Sequence, residues 1–408
     1  MSQETVTNLL REAGLRTMQR VSIIQREIPH YRVPFFSHLC RNGEEEGLRI
    51  TVFSAAESGL PCREFRHRPL PSRPVGSGGA LWLQGLTDAV AGSDVIIAPQ
   101  ELQCLNVPYL WTRRHRFYRR WIWWGHGYNF HAAKRVPWPL AMKESAKRFM
   151  TRHADGLITY TEGGADYWRK QGLPEGSIRT YDNTIDVEGI REAAGVSEET
   201  LAEARASLGL GNTRVLLFSG RLYAEKRVDF LLRAFAKLQR SEPTSALLII
   251  GDGPERKRLE TLRDELNVRH VHFLGACTDP VRSGVYFRLA ELLTIPGLVG
   301  LAIVHGYAFG LPLVTTDYPG HSPEIEYLTA ETGIMTTQEI DDYAAAIEKL
   351  LTLPDRLSEM RDAAMRAGDR LRLGESVDRF LDAIVAFSNP AGVEQGISGK
   401  PHRSVAHH

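Results

Sequence analysis

The chain has 408 residues, 43% hydrophobic and 24% charged, with 36 Gly and 21 Pro. That composition excludes wholesale disorder, collagen-like repeats and a coiled coil, and the length suits two domains of about 200 residues each. Lys+Arg number 50 and Asp+Glu 49, a net charge of +1, which excludes a whole-molecule polycation built for nucleic acid, so any electrostatic specialisation is local.

From Arg20 onward, short apolar runs alternate with amphipathic stretches. Strands are predicted at VSIIQ (core 22–25), RITVFS (49–54), DVIIAP (94–99), WIWWGH (121–126) and DGLITY (155–160), with helix-length segments such as 104–117 and 139–153 between them. The rhythm restarts at 213 with TRVLLFSGR and continues through SALLIIGDG (245–253), VHFLG (271–275), ELLTIP (291–296) and LPLVTT (311–316). Helices are predicted at about 226–239, 254–266, 302–310 and 338–351. Alternation of this kind marks βαβ units and parallel sheets. The Gly/Glu/Ala-rich stretch 183–212 separates the two series, placing the domain join near 186–195. The expected division is 18–190, 191–372, a closing helix at 373–388 and a disordered tail at 389–408. Two doubly wound α/β domains in series imply a crevice where the carboxyl ends of their strands face each other.

The four cysteines (Cys40, Cys62, Cys104, Cys277) have no CxxC spacing, which argues against a disulfide scaffold or a zinc site and fits a reducing compartment. No run approaches the roughly 18–20 apolar residues that span a bilayer. Met1–Arg20 carries acids and no apolar core of the kind a secretory signal has, so the cytoplasm is the default expectation.

Three turns and one charged field stand out. In FSGRLYAEKRVDFLLRAF (218–235), Arg221 and Lys226 follow a strand and precede a helix, where free backbone N–H groups and the helix dipole already favour an anion. Two cations five residues apart there can straddle a diphosphate; the alternative is an ordinary solvated helix start. In PGLVGLAIVHGYAFGLPLV (296–314), Gly300 permits close approach of backbone to a ligand, the amides of Leu301 and Ala302 would point at it, and His305 lies one helical turn further in. A half-buried packing role for His305 stays open. In WIWWGHGYNF (121–130), His126 stands between two glycines at the end of an apolar strand, the position where ligands bind in such sheets. From Arg113 to Arg152 there are eleven Lys+Arg against the single acid Glu144, and five of the seven tryptophans fall within 111–138. That field suits an anionic membrane surface or a lipid-linked phosphate acceptor, or else it is a solvated face beside a Trp-rich core strand. GxxxxGK[ST], HExxH, GxSxG and DxD do not occur, and GDGPER (251–256) lacks the third glycine of a dinucleotide fingerprint.

Taken in order, NTID (183–186), GRLYAEKRVDFLLRAF (220–235), LIIGDGPER (248–256), HFLG (272–275), GLAIVHGYAFGLPLV (300–314) and SPEIEYLTAETG (322–333) resemble the donor half of glycosyltransferase family 4, retaining enzymes of the GT-B fold. GHG (125–127) is a weaker match in the first half. The resemblance implies two Rossmann-like domains facing a central cleft. A nucleotide diphosphate sugar would bind the second domain and an acceptor the first. Arg221 and Lys226 would hold the diphosphate without a metal, with Gly220, Gly300, Leu301, Ala302, His305 and Glu324 around the donor and His126 facing the reacting sugar. The family's pair of glutamates falls on Gly297 and His305, neither acidic, and its glycine-rich loop after the first strand is replaced by REIPHYRVPFF (26–36), where Tyr31 and Arg32 are expected on the acceptor side. The reading is a retaining glycosyltransferase acting on a lipid-linked saccharide in surface polysaccharide or lipopolysaccharide assembly. It would need no cofactor, bind no nucleic acid and work in the cytoplasm, peripherally at the inner face of the membrane through 113–152. A catalytically silent nucleotide-sugar or glycan-binding protein of the same fold is the alternative.

Overall fold

A computed structural model describes residues 18–56, 63–76, 79–101, 103–126 and 138–388. The expected tail 389–408, Gly127 of the GHG motif and the basic pair Lys134–Arg135 lie outside the described residues.

The first lobe is built on a parallel sheet of seven strands: β1 (Gln19–Ile24), β2 (Leu48–Ala55), β3 (His67–Leu70), β6 (Ser93–Pro99), β7 (Tyr118–Gly125), β8 (Gly156–Thr159) and β9 (Ile178–Thr180). They lie in the order β3-β2-β1-β6-β7-β8-β9. A separate antiparallel pair, β4 (Ser72–Val75) with β5 (Ala80–Leu83), sits beside it. The central strands are apolar on both faces because both are covered. In β7, Trp121 and Trp123 face one core while Ile122 and Trp124 face the other. This corrects the reading of the Trp-rich field as surface: all three strand tryptophans are at most 2% exposed.

The second lobe repeats the plan with β10 (Arg214–Ser219), β11 (Ser245–Ile250), β12 (Val271–Gly275), β13 (Leu292–Thr294), β14 (Leu313–Thr316) and β15 (Gly333–Thr336). Their order is β12-β11-β10-β13-β14-β15. In both sheets the strand order reverses beside the first strand, between β1 and β6 and between β10 and β13. A crevice opens there at the carboxyl ends, because the crossovers on either side depart to opposite faces.

The chain crosses between lobes at 181–186 and returns after Leu371. Ile185 and Val187 already pack in the second core, and the helices Val187–Ala193 and Glu198–Ser207 belong to that lobe. The closing helix Leu373–Ser388 returns to the first lobe, where Phe380 and Phe387 join Phe35, Trp124 and Tyr181. The two crossings are tied together: Thr184 Oγ1 donates to Leu371 O at 2.6 Å, and Arg379 Nη1 to Asp182 Oδ2 at 2.8 Å.

Candidate active site

The turn after β10 is shaped by its ties to the loop after β13. Following Ser219, Ala224–Lys226 form one 3-10 turn, and Arg227 adopts the left-handed conformation (φ 52°) before the helix Val228–Ser241 begins. Such a φ is costly without glycine; Arg227 Nη1 is fixed by Gln338 Oε1 at 2.8 Å, with the guanidinium 4.6 Å above the Phe230 ring. Leu298 N donates to Glu225 O at 2.9 Å, and Lys226 Nζ donates to Leu298 O at 2.6 Å and Val299 O at 3.3 Å. The loops flanking the switch point of the second sheet are thereby stapled together, with the ammonium between them. Burial pushes Lys226 down to about 8, while Glu225 and Glu324 act to raise it.

Gly297 occupies this staple because nothing larger fits. A Cβ there would lie 2.1 Å from Glu225 O and 2.7 Å from the Lys226 carbonyl carbon. Gly300 has φ 64°, and a Cβ on it would lie 3.9 Å from Lys226 Nζ, so it borders the same space. Leu301 and Ala302 open a seven-residue helix, Ala302–Ala308, and first-turn amides have no acceptor within their own helix. His305 lies flat on Phe287, ring centroids 3.9 Å apart and planes at 18°. Burial, and secondarily His30, push its pKa down to about 4, so the imidazole is neutral near pH 7. Its Nε2 is buried and has no hydrogen-bond partner among the described residues.

Arg221 is exposed at the lobe surface. Its influence reaches the first lobe: His30 is held below its ordinary value first by burial and then by Arg221. His30, in the segment after β1 of the first lobe, thus feels Arg221 and acts on His305 of the second lobe through their charges. Nothing in its spacing singled it out; the unusual segment 26–36 was the only signal. Tyr31 beside it is 37% exposed.

Arg32 departs from its expected place facing an acceptor. It is 6% exposed, because its guanidinium lies over the rings of Trp124 (5.0 Å), Tyr160 (5.4 Å) and Phe35 (5.7 Å), and Nη1 donates to Tyr181 Oη at 2.9 Å. Glu324 is likewise enclosed, at 3% exposure, and accepts a hydrogen bond from Asn183 Nδ2. His126 ends β7 exposed, with its ring edge-on to Tyr160 at 4.3 Å. Two further polar groups escaped the motif analysis. His321 Nε2 is bonded to Thr316 O at 2.8 Å, which makes it the protonated nitrogen, and its buried Nδ1 has no partner among the described residues. Ser322 Oγ is also buried without a partner and would lie 3.8 Å from a Cβ on Gly300.

Comparison with known proteins adds to this geometry. Residues 202–367 match the family model described as glycosyl transferases group 1. A D-inositol 3-phosphate glycosyltransferase of Rhodococcus erythropolis is 28% identical over 207 residues, 46% of each chain. An alpha-D-kanosaminyltransferase of Streptomyces kanamyceticus is 29% identical over 57% of this chain and 59% of its own. The chain thus spans about half the length of the curated relatives it matches. Among solved structures, Anabaena Alr3699/HepE in complex with UDP superposes with a TM-score of 0.71 at 16% identity, over 90% of this chain and 100% of that one. The fold is GT-B: two Rossmann-like α/β lobes facing a cleft.

Proposed function

We propose that the protein is a retaining glycosyltransferase that takes a sugar from a nucleotide diphosphate donor held by the second lobe and passes it to an acceptor held by the first. One observation carries this reading: Arg221 and Lys226 lie in the turn that follows β10, at the switch point of the second sheet, with the ammonium held between the loops after β10 and β13. The match to the group 1 family and the UDP in the Anabaena structure support a nucleotide sugar as donor. Arg221 forks onto the diphosphate from the cleft surface, and Lys226 meets it from the stapled loops as a point charge. As the bond from the anomeric carbon to the diphosphate breaks, the two cations stabilise the leaving charge without a divalent ion. The acceptor oxygen bonds to that carbon on the same face and its proton passes to the departing diphosphate. His126 and Tyr31 line the acceptor side. The unpartnered Nδ1 of His321 and Nε2 of His305 are hydrogen-bonding capacity for donor hydroxyls.

Lipid-linked saccharides are the acceptors we favour, in surface polysaccharide or lipopolysaccharide assembly at the inner face of the cytoplasmic membrane. On the helix Trp138–Arg152, Met142, Ser145, Ala146 and Phe149 form one exposed stripe flanked by Lys143, Arg148 and Arg152. Met142 and Phe149 are 58% and 57% exposed, an unusual outlay of apolar surface beside cations. Among the described residues no helix is long and apolar enough to cross a membrane.

A screen of nucleotide sugars read by nucleotide release tests the activity and the donor together. Arg221→Ala and Lys226→Ala are each expected to lower release on the order of 10²–10³-fold. Wild-type turnover in both variants sinks the site, and tight donor binding without release by the wild type favours the catalytically silent alternative.

A further inference from the structure

Arg32 and Glu324 are buried charges with no touching partner of opposite sign among the described residues. Arg32 in the first lobe has aromatic faces and one hydroxyl around it; Glu324 in the second has one amide. A buried charge left uncompensated costs several kcal/mol, yet the two are joined. Arg32 Nη1 donates to Tyr181 Oη at 2.9 Å, Tyr181 Oη donates to Asn183 Oδ1 at 2.8 Å, and Asn183 Nδ2 donates to Glu324 Oε1. Every donor in this chain points the same way, from guanidinium to carboxylate, so each bond polarises the next. With its carbonyl oxygen taken by Tyr181, the Asn183 amide can only turn its N–H₂ toward Glu324.

The turn that carries Glu324, Pro323–Tyr327, is anchored to the same place twice more. Tyr327 Oη donates to Asn183 O at 3.0 Å, and Glu326 Oε2 accepts from Gly163 N of the first lobe at 2.8 Å. The position of Glu324 is therefore set by the lobe crossing and by the first lobe. On its other side the loop bearing Glu324 faces Lys226: Ser322 Oγ and Lys226 Nζ lie 3.8 and 3.9 Å from the point that a Cβ on Gly300 would occupy. The direct acceptors of the ammonium are the neutral carbonyls of Leu298 and Val299, and Glu225 and Glu324 favour its charged form. Glu225 on the ammonium's own turn and His321 in the loop before Glu324 are the other titratable groups that face it.

We propose that Asn183 and Glu324 form a strut at the lobe crossing that positions the Lys226 ammonium for the diphosphate, anchored in the first lobe by Tyr181 and Arg32. The proposal rests on the reading of Lys226 as a diphosphate ligand. Glu324 is on this view a positioning residue that acts through Lys226, and the arrangement of the lobes sets how strongly the cation is held.

The test reads Lys226 itself in the full-length protein, by the pH dependence of its acylation with acetic anhydride followed by peptide mass spectrometry. Removing the carboxylate in Glu324→Gln takes away a neighbour that favours the charged amine, so the midpoint moves to lower pH. Tyr181→Phe keeps the ring in its aromatic cluster but cuts the chain, and moves the midpoint the same way by less; it also keeps the test open should the glutamine variant fail to fold. In parallel, UDP binding is measured by calorimetry. Affinity in Glu324→Gln is retained or improved at pH 6, where both proteins carry the ammonium, and falls on the order of fivefold at pH 8. An unchanged Lys226 midpoint in both variants, or UDP binding weakened equally at every pH, overturns the strut. A shifted midpoint in a protein that binds no nucleoside diphosphate at any pH upholds the strut and instead removes the proposed function.

Discussion

Replacing Lys226 by Met should make the protein more stable near neutral pH while abolishing donor binding. Burial holds the amine at about 8 against an ordinary value of 10.5. At 1.36 kcal/mol per unit, keeping the proton at pH 7 costs the folded state about 3 kcal/mol relative to the unfolded chain. Methionine removes that cost, but it leaves Leu298 O and Val299 O without their donor, a loss of about 1–2 kcal/mol. The net gain of about 1–2 kcal/mol raises the melting midpoint of the second lobe by a few degrees. The sign has a pH signature. Between about 8 and 10.5 the unfolded chain binds the proton that the folded protein has already released, so wild-type stability from this group rises across that window and is least below it. Thermal melts of both proteins from pH 6.5 to 10 therefore converge as pH increases, with the Met variant ahead at the acid end. A Met variant less stable than wild type at pH 7, or parallel pH curves, refutes the account of a buried ammonium held at energetic cost.

Gly297→Ala should damage fold and site together, since its Cβ would sit 2.1 Å from Glu225 O, a backbone atom that cannot swing aside. Overpacking of this kind costs about 1–3 kcal/mol and displaces the turn bearing Lys226; melting and UDP titration check it, and wild-type values in both exclude a tight staple. The exposed stripe on Trp138–Arg152 should carry the protein onto vesicles containing anionic lipid at low salt, with Met142→Ser/Phe149→Ser losing most of the bound fraction. Wild-type protein that stays in the supernatant rules out the membrane surface.

The central strands were legible because parallel strands covered on both faces read as unbroken apolar runs, and the loops at their carboxyl ends followed from the same pattern. The edges were not. β3 (HRPL) pairs on one side only, exposes Arg68 and Pro69 with His67 half-buried, and so has no run to detect. The helix Pro354–Arg370 is mostly polar, and Val187–Ala193 and Glu198–Ser207 lie in a stretch whose glycines and glutamates read as a linker. Within the site, Arg221 and Lys226 were visible as cations at a strand-to-helix turn. Arg32 was misplaced because spacing puts it beside Tyr31 in an unusual loop, whereas only the packed structure shows four aromatic rings closing over it. His30 and Asn183 act across the lobes, and contacts between residues 141 or more positions apart leave no local trace.

At positions 297 and 305, where the resemblance leads one to expect glutamates, the packing leaves no place for a carboxylate. At position 297 the backbone of Glu225 and Lys226 fills the space that a side chain would need, and Leu298 N bonds to Glu225 O in a close backbone contact beside the ammonium. At position 305 a carboxylate would have to lie on Phe287 with nothing to pair it, and burial would drive it to protonate. A neutral imidazole fills that slot without such a penalty, its pKa lowered by burial to about 4, so that it is uncharged near pH 7. The enclosed carboxylate acting on Lys226 is Glu324, which accepts a hydrogen bond from Asn183. Lys226 thus answers to Glu225 and Glu324, and on the proposed reading donor affinity should rest on the diphosphate meeting Arg221 and Lys226, with sugar selection left to neutral acceptors such as His321 Nδ1.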